Sequence, residues 1–202
     1  METSIDLINV TKKYHKRKVL DNITLKFTFG KAYMLVGENG SGKSTILKLI
    51  TGLIFPTSGV IKKSNLKISY VPEKVMLPRF VKTIDFLNIL REIKESSLDK
   101  MNELITYFDL DIVKEKKIKE LSKGMMQKVL LIQALMDDSS VFIFDEVLNG
   151  LDKVSQSKLL EYIKDNKHNK LFIISSHYSD YYLGIVDEII DLNKVKENAK
   201  SF

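Results

Sequence analysis

The chain has 202 residues, a formal charge of +6, and 44% hydrophobic and 29% charged residues. That is an ordinary globular composition, able to bury one sizeable core, so a single domain over 1–202 is expected. No apolar run approaches the roughly 20 residues needed to span a bilayer, and Met1-Glu2-Thr3-Ser4 does not open a signal peptide. Cysteine is absent, which excludes disulfides and thiolate metal sites and fits a reducing cytosol. The charge is mild and compatible with an anionic membrane face, nucleic acid, or solubility alone. The basic clusters Lys12-Lys13 with Lys16-Arg17-Lys18, and Lys114 with Lys116-Lys117 and Lys119, are interrupted and read as solvated surface.

In chain order, Ile5 to Val10 and Ile23 to Phe27 partly alternate apolar and polar residues, as half-buried strands do. Ala32-Tyr33-Met34-Leu35-Val36 is a short apolar run that reads as a buried strand. Residues 37–45 follow it as Gly-Glu-Asn-Gly-Ser-Gly-Lys-Ser-Thr, a complete G-x-x-x-x-G-K-[ST] loop, and Ile46 to Ile50 continue as a helix. Gly37, Gly40 and Gly42 permit backbone angles that let successive N–H groups point at phosphate oxygens, and the helix start adds its positive dipole end. Asn39, Ser41 and Thr45 belong to the same cradle. Lys43 is placed to reach β- and γ-phosphates and Ser44 to meet Mg²⁺, so the loop points to a nucleoside triphosphate.

Gly52 is a good stop for that helix, and Pro56-Thr57-Ser58-Gly59 turns into a strand at Val60-Ile61. Leu66 to Val71 reads as another strand, ended by Pro72. From Val81 to about Val113 the period becomes helical, with Ser96 or Ser97 as a cap before the second helix. This block, about 73–120, reads as an inserted helical subdomain between two parts of one core, 1–72 and 121–202. Beyond Leu121 the order is helix, strand, helix, strand, with apolar runs at Val141 to Phe144 and Leu171 to Ile174. The fold class expected is α/β: a mostly parallel sheet covered on both faces, with an antiparallel β subdomain and the helical insertion.

In such folds ligands bind off the carboxyl ends of the strands. Four buried strands are followed there by reactive groups: the phosphate loop, Pro72-Glu73, Asp145-Glu146, and Ser175-Ser176-His177. Asp145 is suited to Mg²⁺, largely through water. Glu146, one residue further, is suited to orient an attacking water or accept its proton. His177 can hydrogen-bond a γ-phosphate near Glu146.

Taken together, the chain resembles the nucleotide-binding subunits of ABC transporters over nearly its whole length. Leu121-Ser122-Lys123-Gly124-Met125 is similar to the family's signature LSGGQ, Asn149-Gly150-Leu151-Asp152 to its D-loop, His177 to its switch histidine, and Tyr70-Val71-Pro72-Glu73 to its Q-loop. Tyr14 lies where the family places an aromatic ring that stacks on adenine. The resemblance implies ATP and Mg²⁺ as ligands. Lys43, Glu146 and His177 would be catalytic, and Ser44, Glu73 and Asp145 would face the metal. Ser122 and Gly124 would close over the ATP of a second, head-to-tail subunit in a homodimer or heterodimer.

The resemblance further implies a cytosolic ATPase docked on the inner face of the membrane through separate polytopic subunits. Their coupling helix would sit in a groove near Glu73 and the helices from Lys74 to about Phe108. No nucleic-acid partner is expected. Glu73 in place of the usual Gln resembles exporter-type cassettes and points to export of a drug, peptide or other small cargo. Lys123 and Met125 replace a Gly and a Gln of the signature, and Val147-Leu148 replaces the residues after the catalytic Glu, with a looser turn expected there. The alternative is a soluble ABC-type ATPase acting on ribosomes or nucleic acid.

Overall fold

A computed structural model describes residues 3–74, 76–177, 182 and 184–195. The chain opens with a long hairpin, β1 (Ser4–Tyr14) and β2 (Arg17–Thr28), and β4 (Ser58–Lys63) pairs antiparallel with the free side of β1. This three-stranded sheet has the order β2-β1-β4. The other strands are β3 (Ala32–Val36), β5 (Ile68–Val71), β6 (Val141–Asp145), β7 (Leu171–Ser175) and β8 (Glu188–Asp191). They form a second sheet, entirely parallel, in the order β5-β6-β7-β3-β8.

Among the described residues, the α-helices that link these strands are α1 (Lys43–Thr51), α2 (Thr83–Ile93), α3 (Leu98–Tyr107), α4 (Lys123–Leu135) and α5 (Lys153–Asn166). Their ends obey local chemistry. Gly52 closes α1 in the left-handed conformation at φ 81°. Ser97 caps α3 by accepting from the Lys100 N–H, and Ser122 caps α4 by accepting from the Met125 N–H. Among the described residues no helix is long and apolar enough to cross a membrane.

The parallel sheet is buried on both faces, which is why its strands are almost continuously apolar. Alternation still sorts its side chains. Met34, Phe142, Phe144, Phe172 and Ile174 face a core shared with α2 to α5. Tyr33, Leu35, Val141, Ile143, Leu171 and Ile173 face a second core, shared with α1 and with Ile5, Leu7, Leu20 and Phe27 of the antiparallel sheet. Phe142 and Phe172, side by side on β6 and β7, stack at 5.3 Å between ring centroids. One face is therefore covered by helices and the other largely by the antiparallel sheet.

The strand-rich and helical segments expected from sequence are present, with two differences. The hairpin strands run past their apolar stretches, because pairing carries β1 and β2 out to Tyr14 and Arg17 at the tip. As the cap expected at Ser96 or Ser97 implies, the helical block is two helices joined at residues 94–97. The fifth parallel strand, β8, escapes the sequence pattern because it is short and largely exposed.

Candidate functional site: a phosphate loop facing a buried carboxylate pair

The parallel register sets the site. Leu35 pairs with Ser175, Asp145 with Ser175, and Val71 with Phe144, so the ends of β3, β7, β6 and β5 lie at one level. The phosphate loop leaves β3 there, and Glu73, Asp145-Glu146 and His177 follow the other three strands. They surround a cleft of about 320 Å³ whose walls include Gly40, Lys43, Ser44, Glu73, Glu146 and His177. Asn39, Ser41, Gly42 and Thr45 line it as well. Gly42 starts α1 at φ 106°, and a Cβ on it would lie 2.6 Å from the Leu20 side chain, so only glycine suits this bend.

Asp145 is buried at 2% exposure and held from two strands. The Ser175 hydroxyl donates to its Oδ1 at 2.5 Å, and the Ser44 hydroxyl donates to the same oxygen at 3.1 Å. Tyr70, on β5, brings its hydroxyl 3.4 Å from Asp145 Oδ2. Burial first and the Asp145 charge second push the Tyr70 phenol up, so it stays a proton donor to that carboxylate.

Glu146 is also buried, yet its backbone sits at φ 53°, a left-handed angle uncommon for a residue with a side chain. The turn is held from both sides. The Glu146 N–H donates to the Ser175 carbonyl at 3.2 Å and the Ser175 hydroxyl at 3.1 Å, and Asn149 Nδ2 donates to Glu146 Oε2 at 3.0 Å. Oε1 is left without a directed hydrogen bond. It faces His177 Nε2 at 3.2 Å and Lys43 Nζ at 3.9 Å. Neither contact is a hydrogen bond, so both groups stand beside Oε1 as charged or polar neighbours only. Lys43 Nζ instead donates to the Gly37 carbonyl at 2.7 Å, within the loop.

The looser turn expected from Val147-Leu148 is not what the chain forms. A 3₁₀ turn runs Val147–Gly150, with both apolar side chains buried in the helical core. Gln156 Nε2 donates to the Leu148 and Leu151 carbonyls at 3.1 Å each. Gly124, near the start of α4, abuts this turn: a Cβ there would lie 2.8 Å from the Gly150 carbonyl oxygen. Asp152 caps α5 and pairs with Lys128 Nζ at 3.0 Å. The Ser155 N–H, and then Lys128, hold its carboxyl down at about 2.

Not every expected residue converges on the cleft. Ser122 and Gly124 lie at the start of α4 and are not among its walls, while Glu73 reaches the cleft half-exposed and 3.6 Å from Lys74. Tyr14 lies at the hairpin tip, 43% exposed and outside the cleft walls, with Lys12 Nζ 5.2 Å from its ring. Arg17 and Val19 line the cleft instead, and sequence reading assigned neither to the site.

The donor set suits Mg²⁺ as a hard cation: hydroxyl and carboxylate oxygens, Ser44 and Asp145, meet at the mouth of a phosphate loop. Among the described residues no cluster of three or more His, Asp or Glu could hold a metal unaided. A metal here would take much of its coordination from phosphate and water, as Mg²⁺ prefers.

A parallel sheet with a phosphate loop at one strand end and a buried Asp-Glu pair at another defines a nucleoside-triphosphate hydrolase. The family described as "ABC transporter" matches residues 20–149, and the chain belongs to it. It is 35% identical over 200 residues to the zinc import ATP-binding protein ZnuC of Wigglesworthia glossinidia brevipalpis, covering 96% of this chain and 84% of that one. It is 32% identical over 178 residues to the lantibiotic transport ATP-binding protein SrtF of Streptococcus pyogenes, covering 84% and 78%. A solved structure described as the ATP binding subunit of an ABC transporter superposes with a TM-score of 0.85 at 25% identity, covering 94% of this chain and 85% of that one. The chain is an ATP-binding subunit of an ABC transporter, from a family that binds ATP with Mg²⁺ and hydrolyses it in transport.

Proposed function

We propose that two cassettes of this kind close head to tail over Mg-ATP, and that hydrolysis reopens them to drive cargo through separate membrane subunits. The observation that carries the reading is the grouping of Glu146 Oε1, His177 Nε2 and Lys43 Nζ within 3.9 Å at the mouth of the phosphate loop. The loop N–H groups hold the phosphates. Lys43 exchanges the Gly37 carbonyl for β- and γ-phosphate oxygens. Ser44 and Asp145, with Glu73 at the rim, would hold Mg²⁺, and the ion would supply neutralisation of phosphate charge there.

Glu146, fixed at Oε2 by Asn149, turns its free Oε1 to the attacking water and accepts its proton. The water oxygen bonds to the γ-phosphorus as the bond to the ADP oxygen breaks. His177 donates to the γ-phosphate, and the fixed donors stabilise its charge in the transition state. Ser122 and Gly124 face the ATP of the second cassette. There the start of α4 offers N–H groups, and Gly124 no side chain, to a phosphate. Tyr14 would stack on the adenine.

We take about 73–120 as the helical subdomain that meets the membrane partner, in a groove near Glu73. The chain would then sit on the cytoplasmic face of the membrane, in a homodimer or heterodimer. Export was the expectation from Glu73. Relatives named for zinc import give that direction no support, so no direction of transport is assigned. Neither the fold nor the relatives named above favour the ribosome or nucleic-acid alternative.

The test is capture of tagged Glu146→Gln chain from its native cells, with Mg-ATP and mild detergent. A polytopic membrane protein in the eluate is the expected result. Ribosomes or DNA with no membrane partner would overturn the transporter reading.

A further inference from the structure

We propose that Arg17 is a second cation for the polyphosphate of the nucleotide, reaching over the phosphate loop from the tip of the β1–β2 hairpin. The inference rests on the nucleotide reading of the cleft. Arg17 opens β2 directly across from Tyr14, after a turn in which His15 adopts φ 51°. The two partners diverge. Tyr14 stays outside the cleft walls, while Arg17 forms part of them, and its Nη2 comes 3.6 Å from where a Cβ on Gly40 would sit.

Its neighbour Lys18 is occupied by Asp21 at 2.9 Å, whereas among the described residues the Arg17 side chain makes no ion pair or hydrogen bond. Of the basic run Lys16-Arg17-Lys18, one member is therefore turned toward the loop and uncommitted. A guanidinium fork is shaped to meet two phosphate oxygens at once.

Charge balance gives it a task. Three carboxylates, Glu38, Glu73 and Glu146, line the cleft against two cations, Lys43 and Arg17. Without Arg17 the walls would oppose a triphosphate with a single lysine. Arg17 thus strengthens binding in proportion to the phosphate charge, with no part in the chemistry at the γ-phosphorus.

The test compares wild-type chain with Arg17→Met, which keeps the apolar stem and removes the charge, for affinity toward Mg-ATP and toward AMP. Direct titration serves for ATP and competition for AMP. Mg-ATP should bind about 5- to 20-fold more weakly, with AMP changed less than about 2-fold. Unchanged ATP affinity would overturn the assignment to Arg17, and so would an equal loss for ATP and AMP. A wild-type chain that binds no Mg-ATP would overturn the nucleotide reading itself, a result distinct from both.

Discussion

Glu146→Gln is expected to lower ATP turnover by about 10²–10⁴-fold while leaving Mg-ATP affinity near that of the wild type. The substitution keeps the shape of the side chain and retains an oxygen for Asn149, but removes the charge that accepts a proton from water. Neither of the carboxylates expected to face the metal replaces it. Glu73 lies half-exposed at the rim, and Asp145 is committed to the Ser44 and Ser175 hydroxyls. Binding is spared because the phosphates are held by the loop, and loss of a buried negative charge there does not oppose an anion. Phosphate release and calorimetric titration on the same preparation check both halves. Unchanged turnover would remove Glu146 from the mechanism.

Lys43→Ala should act on binding itself, weakening Mg-ATP by about 10- to 10²-fold. Lys43 is 7% exposed, and its ammonium lies between the Gly37 carbonyl and Glu146. Removing it leaves the Glu146 carboxylate facing the triphosphate with no cation between them. Titration with Mg-ATP is the measurement, and full affinity in the variant would contradict the phosphate-loop reading. The two variants separate in kind: one loses rate and keeps ligand, the other loses ligand first.

Much of the site was legible because its chemistry is local in sequence. The phosphate loop is nine consecutive residues, and Asp145-Glu146 follows an apolar run that can only be a buried strand. The contacts that tune these groups were hidden because they depend on register. Ser175 meets Asp145 because β6 and β7 pair at those residues, and Tyr70 meets it because β5 lies beside β6. Neither pairing is written in spacing along the chain.

The hairpin tip shows the same limit. Whether Tyr14 or Arg17 faces the cleft depends on the three register shifts along the β1–β2 pairing, which sequence pattern does not reveal. The turn after Glu146 was misjudged for a different reason. Val147 and Leu148 looked like the loss of a stiffening residue, but their burial anchors the turn instead. β8 lacked an alternating pattern because an edge strand of four residues, the first two of them exposed, need not have one.

ATP hydrolysis by paired cassettes is the central claim, and the most direct measurement of it is phosphate release from saturating Mg-ATP across a range of protein concentrations. Rate per chain should rise with concentration and level off as pairs fill, and chelation of Mg²⁺ should abolish it. A rate per chain that is independent of concentration, or no release from a chain that demonstrably binds Mg-ATP, would contradict the claim.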